Sequence, residues 1–259
     1  MSKKKEHAGA AVVTVGDELV LGERGNENAQ WLANWLHEQG HPPSVTLSLP
    51  DDIAVIANWL RQLKKSGHFP ICVSGGIGGT HDDCTREGIA AALGVPVVKH
   101  PDCWALLAAR YGVEFNESRQ NMAILPEGCE LLENPHGAAG FHHSGIFAFP
   151  GFPKMLKAMI PQILPLLGGA QSSEPTRRAE VRLEAREGDL AGAVRQFDEQ
   201  HPQARLGIYA HSGTAWGQVS LRLRYPETDS EILKAFRELV RSFKKPVLEA
   251  QGIELEAEC

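Results

Sequence analysis

No stretch of the chain approaches the ~18 consecutive apolar residues that a membrane-spanning helix needs, so no membrane partner is expected. Positive charge is not in surplus either. The 26 Lys and Arg face 32 Asp and Glu, giving a formal net charge of -6 over 259 residues. That balance argues against nucleic acid or an anionic membrane as the main partner. Cys72, Cys84, Cys103, Cys129 and Cys259 are scattered, and no two have Cys-x-x-Cys spacing. An odd count without a framework fits a reducing cytoplasm, with the thiols as small apolar packing groups. Neither the Walker nor the dinucleotide glycine spacing occurs. Internal repeats and low-complexity tracts are missing as well. The apolar run 8–15 follows Lys3-Lys4-Lys5 but leads into Gly16-Asp17-Glu18 rather than a small-residue cleavage site. It reads as a buried strand behind a solvated end.

What is present alternates. Ala10–Val15 is a valine-rich run suited to a strand covered on both faces. The stretch 26–40 carries Ala29, Leu32, Ala33 and Leu36 at helical spacing, with Gly40 as a stop. Val45, Leu47 and Leu49 have strand period; Ile53, Ile56, Ala57, Leu60 and Leu63 form a helical stripe that Asp51 or Asp52 can cap. A third buried strand at 71–73, a glycine-rich loop at 75–79 and a helix over Thr85–Leu93 follow. A helix near 103–111, strands near 129–132 and Ile146–Phe149, and a closing helix over 154–167 broken around Pro161 and Pro165 complete the set. This order predicts an α/β fold with a mostly parallel, doubly wound sheet over residues 8–167. Gly, Ser and Pro cluster at 168–176, which reads as a linker. Beyond it, strands at 179–185, 204–209 and 219–225 and helices at 190–200 and 232–243 predict a small α+β domain over 177–255, with a turn at His211-Ser212-Gly213.

Four clusters fall where the first-domain strands end. The first is Ser74-Gly75-Gly76-Ile77-Gly78-Gly79-Thr80-His81-Asp82-Asp83-Cys84-Thr85. Glycines here let free N–H groups approach a ligand, and the following helix adds its positive end, an arrangement that suits phosphate. Asp82 and Asp83 beside it call for a bridging metal, an NH-rich ligand such as a pterin or adenine, a general-base role, or, for Asp83, a plain helix cap. The second is Gly16-Asp17-Glu18-Leu19 with Asn26 and Asn28, which also reads as a polar loop with a helix cap. The third and fourth, Asn134-Pro135-His136-Gly137-Ala138-Ala139-Gly140-Phe141 and Pro150-Gly151-Phe152-Pro153, are turn signals first.

As an ordered set these clusters resemble the molybdopterin-binding domain family, and within it the amino-terminal part of the competence/damage-inducible A (CinA) proteins. The resemblance spans nearly all of residues 8–167. The segment after the linker is similar to their small KH-like domain, although it has no G-x-x-G loop. The resemblance implies a three-layer α/β/α fold, an oligomer, and a ligand at the glycine loop. That ligand is molybdopterin in cofactor-biosynthesis members. In CinA-like members it is ADP-ribose or a related nucleotide diphosphate, hydrolysed at the pyrophosphate with a divalent metal.

By motif position Asp83 and Asp51 correspond to catalytic aspartates of the adenylyltransferase relatives; Asp82 joins them in the implied catalytic set, with Asp82 and Asp83 holding the metal or orienting water. The ligand-binding set carried over is Gly16, Asp17, Glu18, Asn26, Asn28, Ser74, Gly75, Gly76, Gly78, Gly79, Thr80, Thr85, Arg119, Asn134, Gly137, Pro150 and Gly151. The chain departs from the family at Ser74 and Gly79, at Arg119-Gln120-Asn121-Met122, which lacks a lysine, and at Lys154, which replaces a glutamate. Those departures keep a catalytically silent binding module as the alternative to a pyrophosphatase. The nicotinamide-nucleotide amidase domain of longer CinA proteins is not expected here.

Overall fold

The computed structural model describes residues 8–135, 137, 139–168, 176–210 and 217–255. The lysine run, His136, Ala138, most of the expected linker, the turn at 211–213 and Cys259 lie outside the described residues. The chain divides into two compact units, Met1–Gln171 and Ser172–Cys259.

The first unit runs β1 (Ala10–Val15), α1 (Asp17–Val20), α2 (Glu27–Glu38), β2 (Pro43–Leu49), α3 (Ile53–Lys65), β3 (Ile71–Ser74), α4 (Thr85–Leu93), β4 (Val97–Lys99), α5 (Pro101–Tyr111), α6 (Glu117–Asn121), β5 (Ile124–Pro126), β6 (Glu130–Leu132), β7 (Gly140–His143), β8 (Ile146–Phe149) and α7 (Pro153–Met159). The main sheet has the order β2-β1-β3-β8-β7-β6. The pairs β2-β1, β1-β3 and β3-β8 are parallel, and β8-β7 and β7-β6 are antiparallel. Strand period sends alternate residues to opposite faces. Ala11, Val13 and Val15 pack with Ile56, Leu60, Ile89 and Leu107 of α3, α4 and α5. Ala10 and Val12 pack with Leu32, Leu36, Leu156 and Met159 of α2 and α7. Both faces are covered, which explains the unbroken apolar run of β1 and makes the three-layer α/β/α architecture that the alternation predicts.

Local chemistry sets the element ends. Asn26 caps α2 by accepting from the Ala29 N–H at 3.1 Å, and Asp52 caps α3 by accepting from Val55 at 2.9 Å. The expected closing helix splits: α7 stops at Met159 and a 3₁₀ stretch, Ile160–Leu166, carries the two prolines. Proline at position 161 lacks the N–H that an α-helix would need there. Strands β4, β5 and β7 are additions to the expected set. β4 and β5 form a separate antiparallel pair.

The second unit runs β9 (Thr176–Glu184), α8 (Glu187–Gln200), β10 (Arg205–Ala210), β11 (Gln218–Pro226), α9 (Ser230–Ser242) and β12 (Val247–Gln251). Its antiparallel sheet has the order β10-β11-β9-β12. One face is apolar: Val181, Leu183, Leu221 and Leu223 pack against Leu190 and Phe197 of α8 and Phe236 and Val240 of α9. The α+β arrangement is as expected, with β12 as a further edge strand. Among the described residues no helix is long and apolar enough to cross a membrane.

Candidate functional site

The parallel strands end at one level. Thr14 stands beside Ser74, Ser74 beside Phe149, and Val15 beside Leu49. The chain therefore leaves β1 at Gly16, β2 at Pro50, β3 at Gly75 and β8 at Pro150 along a single carboxyl edge. Two bonds extend the ladder past the strand ends, from Gly16 N–H to the Leu49 carbonyl and from Gly75 N–H to the Phe149 carbonyl, each 3.0 Å. This is where open α/β sheets take ligands.

A cleft of about 530 Å³ opens there. Gly75 to Gly79, Thr80, Asp82 and Asp83 form one wall; Val15, Gly16, Glu18 and Asp51 form another; Gly137, Pro150 and Gly151 come from the later turns. Glycine is required at Gly75 and at Gly79, where a Cβ would strike the Ser118 carbonyl oxygen. Gly75 has φ +109°, and a Cβ there would strike the Val15 carbonyl oxygen. A Cβ on Gly78 would lie 2.6 Å from Asp83 Oδ2. Asp83 is itself the brace of the loop. Its Oδ2 accepts the Thr80 N–H at 2.8 Å and also the Thr80 hydroxyl. Asp82 projects to solvent, 63% exposed, with His81 Nδ1 at 4.0 Å.

Asp17 and Asp51 bind each other's backbone. The Asp17 N–H donates to Asp51 Oδ2 at 3.0 Å, and the Asp51 N–H donates to Asp17 Oδ1 at 3.1 Å. Asp51 holds its proton more tightly than an ordinary carboxyl. Burial is the first cause; the Asp17 N–H opposes it, and the nearby charges of Asp17, Asp82 and Glu18 reinforce it. The Asp51 proton therefore leaves at a higher pH than that of an ordinary aspartate.

The remaining expected residues divide. Asn26 Nδ2 donates to Thr14 Oγ1 at 2.7 Å and Ser48 Oγ at 2.9 Å. Asn28 Nδ2 donates to Ser74 Oγ at 3.0 Å and the Gly151 carbonyl at 2.7 Å. Ser74 Oγ in turn donates to the Pro150 carbonyl at 3.1 Å. These side chains tie the strand ends together and border a smaller hollow of about 50 Å³ next to the cleft. Thr85 is fully buried behind Gly76, whose carbonyl accepts its N–H at 2.9 Å. Arg119 is not among the cleft-lining residues. It pairs with Glu114 at 3.0 Å and lies 4.4 Å over the Tyr111 ring, and that ring does line the cleft. Asn134 is buried, its carbonyl accepting from Arg110 at 3.2 Å.

Sequence reasoning passed over several contributors. Arg24 lines both hollows and is the one cationic side chain among the residues lining the main cleft. Its signal was a lone arginine in the loop between β1 and α2, amid acidic neighbours. Arg110 also donates to the Gly137 and Pro135 carbonyls and so holds those residues from α5. Tyr111, Met122, Met155 and the 68% exposed Phe152 supply the apolar part of the wall. The four described cysteines are free thiols. Burial pushes Cys84, Cys103 and Cys129 up to about 11 and raises Cys72 further, so they remain protonated packing groups.

Residues 11–169 match the family described as a probable molybdopterin binding domain. A protein of Thermococcus kodakarensis is 32% identical over 264 residues, covering 95% of this chain and 98% of that one. A protein of Archaeoglobus fulgidus is 29% identical over 230 residues, covering 88% and 96%. The crystal structure of the protein CinA, of unknown function, from Thermoplasma acidophilum aligns with 62% of this chain and 98% of its own, at 30% identity and a TM-score of 0.59.

Proposed function

The chain belongs to the molybdopterin-binding domain family, and from that premise we propose that its glycine-loop cleft binds a phosphorylated nucleotide or pterin and, with a divalent metal, hydrolyses the pyrophosphate of ADP-ribose or a related nucleotide diphosphate. The observation that carries this reading is the loop itself. Glycines at 75 and 78 keep side chains out of a space edged by backbone and by carboxylates. The loop amides suit phosphate oxygens. Arg24 is the cation at hand to balance them. Tyr111, Phe152 and Met155 offer apolar surface for a flat ring system.

The donor chemistry fits a substrate-bridged magnesium ion. Such an ion takes one or two carboxylates plus substrate phosphate oxygens. Asp82 and the second oxygen of Asp83 would hold it. Among the described residues no three His, Cys, Asp or Glu groups form a ready-made metal centre. Bound there, the ion would supply positive charge against the negative charge of the phosphate oxygens. Asp51 takes the proton of the attacking water, whose oxygen bonds to one phosphorus as the pyrophosphate bridge opens to AMP and a sugar phosphate.

The test measures AMP release from ADP-ribose with and without magnesium. Metal-dependent release is expected. Asp51→Asn keeps the acceptor for the Asp17 N–H, so it should leave calorimetric affinity nearly unchanged while turnover falls by ~10²-fold or more. Gly78→Val displaces Asp83 and should abolish binding. Full turnover in Asp51→Asn removes the assigned base, and undiminished binding in Gly78→Val removes the site.

A second reading, a silent binding module, has its own support: Thr80 engages Asp83, and Glu114 engages Arg119. Binding of ADP-ribose or a pterin phosphate without turnover at any metal concentration assigns that reading. The oligomer implied by the family resemblance belongs to the same proposal, and sedimentation of the full chain tests it.

A further inference from the structure

The sheet of the second unit has a bare face opposite its helices. Antiparallel pairing sets residues directly across from one another on the same side. Arg205 of β10 stands opposite Arg224 of β11, and Arg224 stands opposite Arg178 of β9. Three guanidinium-bearing side chains thus form one row across three strands, with neighbours ~4.8 Å apart at the backbone. Like charges placed this way destabilise a sheet.

Elsewhere this sheet neutralises its arginines. Arg222 pairs with Glu180 at 2.9 Å, Arg182 with Glu249 at 3.6 Å, and Arg177 donates through Nε to Glu227 at 3.0 Å. Among the described residues the side chains of Arg178, Arg205 and Arg224 have no ion-pair or hydrogen-bond partner. A hollow of about 400 Å³ lies over them. The other charged groups bordering it are already engaged: Asp198 accepts the Leu206 N–H at 2.9 Å, and Glu180 holds Arg222. At the same hollow the Arg222 guanidinium lies 4.6 Å from the centre of the Tyr209 ring, which folds over Gly207.

We propose that the row Arg205, Arg224 and Arg178 is a binding site for a chain of condensed phosphates, distinct from the glycine-loop cleft. Planar guanidiniums match phosphate oxygens in two-pronged geometry. A condensed phosphate chain is a compact ligand that can meet three cations at strand spacing. Confinement of the uncompensated charge to one row favours it over a nucleic acid strand. A nucleic acid needs a continuous basic stripe, whereas here the adjoining row is neutralised and the chain carries a net charge of -6. The shared chemistry is a polyphosphate, free or as the tail of a nucleotide.

The experiment titrates the full chain calorimetrically with inorganic tripolyphosphate, orthophosphate, a nucleoside triphosphate and a single-stranded RNA. Phenylglyoxal modification, mapped by mass spectrometry, locates each ligand. Tripolyphosphate is expected to bind at least ~10-fold more tightly than orthophosphate and to shield all three arginines from modification. Arg224→Gln and Arg205→Gln, both on the exposed face, are each expected to weaken it by ~10-fold or more and to abolish the shielding. A nucleoside triphosphate that shields the row more strongly assigns the phosphates to a nucleotide tail. Absence of shielding, unchanged tripolyphosphate affinity in both variants, or tighter shielding by the RNA overturns the proposal.

Discussion

The two units solve the same problem, burying a sheet, in opposite ways. In the first, helices cover both faces of a largely parallel sheet, and only its carboxyl edge is left for a ligand. In the second, helices cover one face, and the other stands open with a row of arginines. Crossover connections return every parallel strand in the same direction, so loops from distant sequence positions gather at one edge. Antiparallel hairpins scatter their loops over both ends, and what they offer instead is a flat array of side chains.

Two substitutions test how separate these solutions are. Phe236→Ala removes a fully buried ring from the second unit and should cost it ~3–5 kcal/mol in chemical denaturation. Ligand affinity at the glycine cleft should not change; a parallel fall would mean that the units do not act independently. Asn26→Ala deletes the α2 cap and the ties to Thr14 and Ser48, at a cost of ~1–2 kcal/mol in the first unit. A second-unit transition that moved with it would blur the same distinction.

The smallest effect concerns Asp51. Because its folded-state proton is held above the ordinary value of 3.8, folding benefits most below that pH, and the benefit is lost as pH rises through the folded value. At neutral pH the ionised, crowded carboxylate is a burden, so Asp51→Asn should raise the midpoint by ~1–3 °C. The gain should vanish below pH 4. A gain persisting there would show that charge is not its cause.

Much of this was legible in the sequence where periodicity and burial coincide. The continuous run of β1 announced a strand covered twice, and the stripe of α3 announced the face that packs on it. Strand β12 escaped because all five of its residues are exposed, which leaves no alternation to read. β7 opens on Gly140 and follows a run of turn residues that reads as loop. The carboxyl-edge location of the glycine loop was readable because βα turns obey a topological rule. The parts played by Arg24 and Arg110 were not, since an arginine is solvated by default and only folding shows which carbonyls or hollows it reaches. The asparagines illustrate the converse. Their positions were legible as a polar cluster, but bonds across 12 to 123 residues of sequence separation decide that their amides stitch strands together.

That stitching has a consequence for rigidity. Asn26 and Asn28 moor the start of α2 to β1, β2, β3 and the turn after β8. Swinging α2 aside would cut four bonds at once, so the start of that helix is a fixed bank of the smaller hollow, and any reshaping there falls to side chains rather than to the helix.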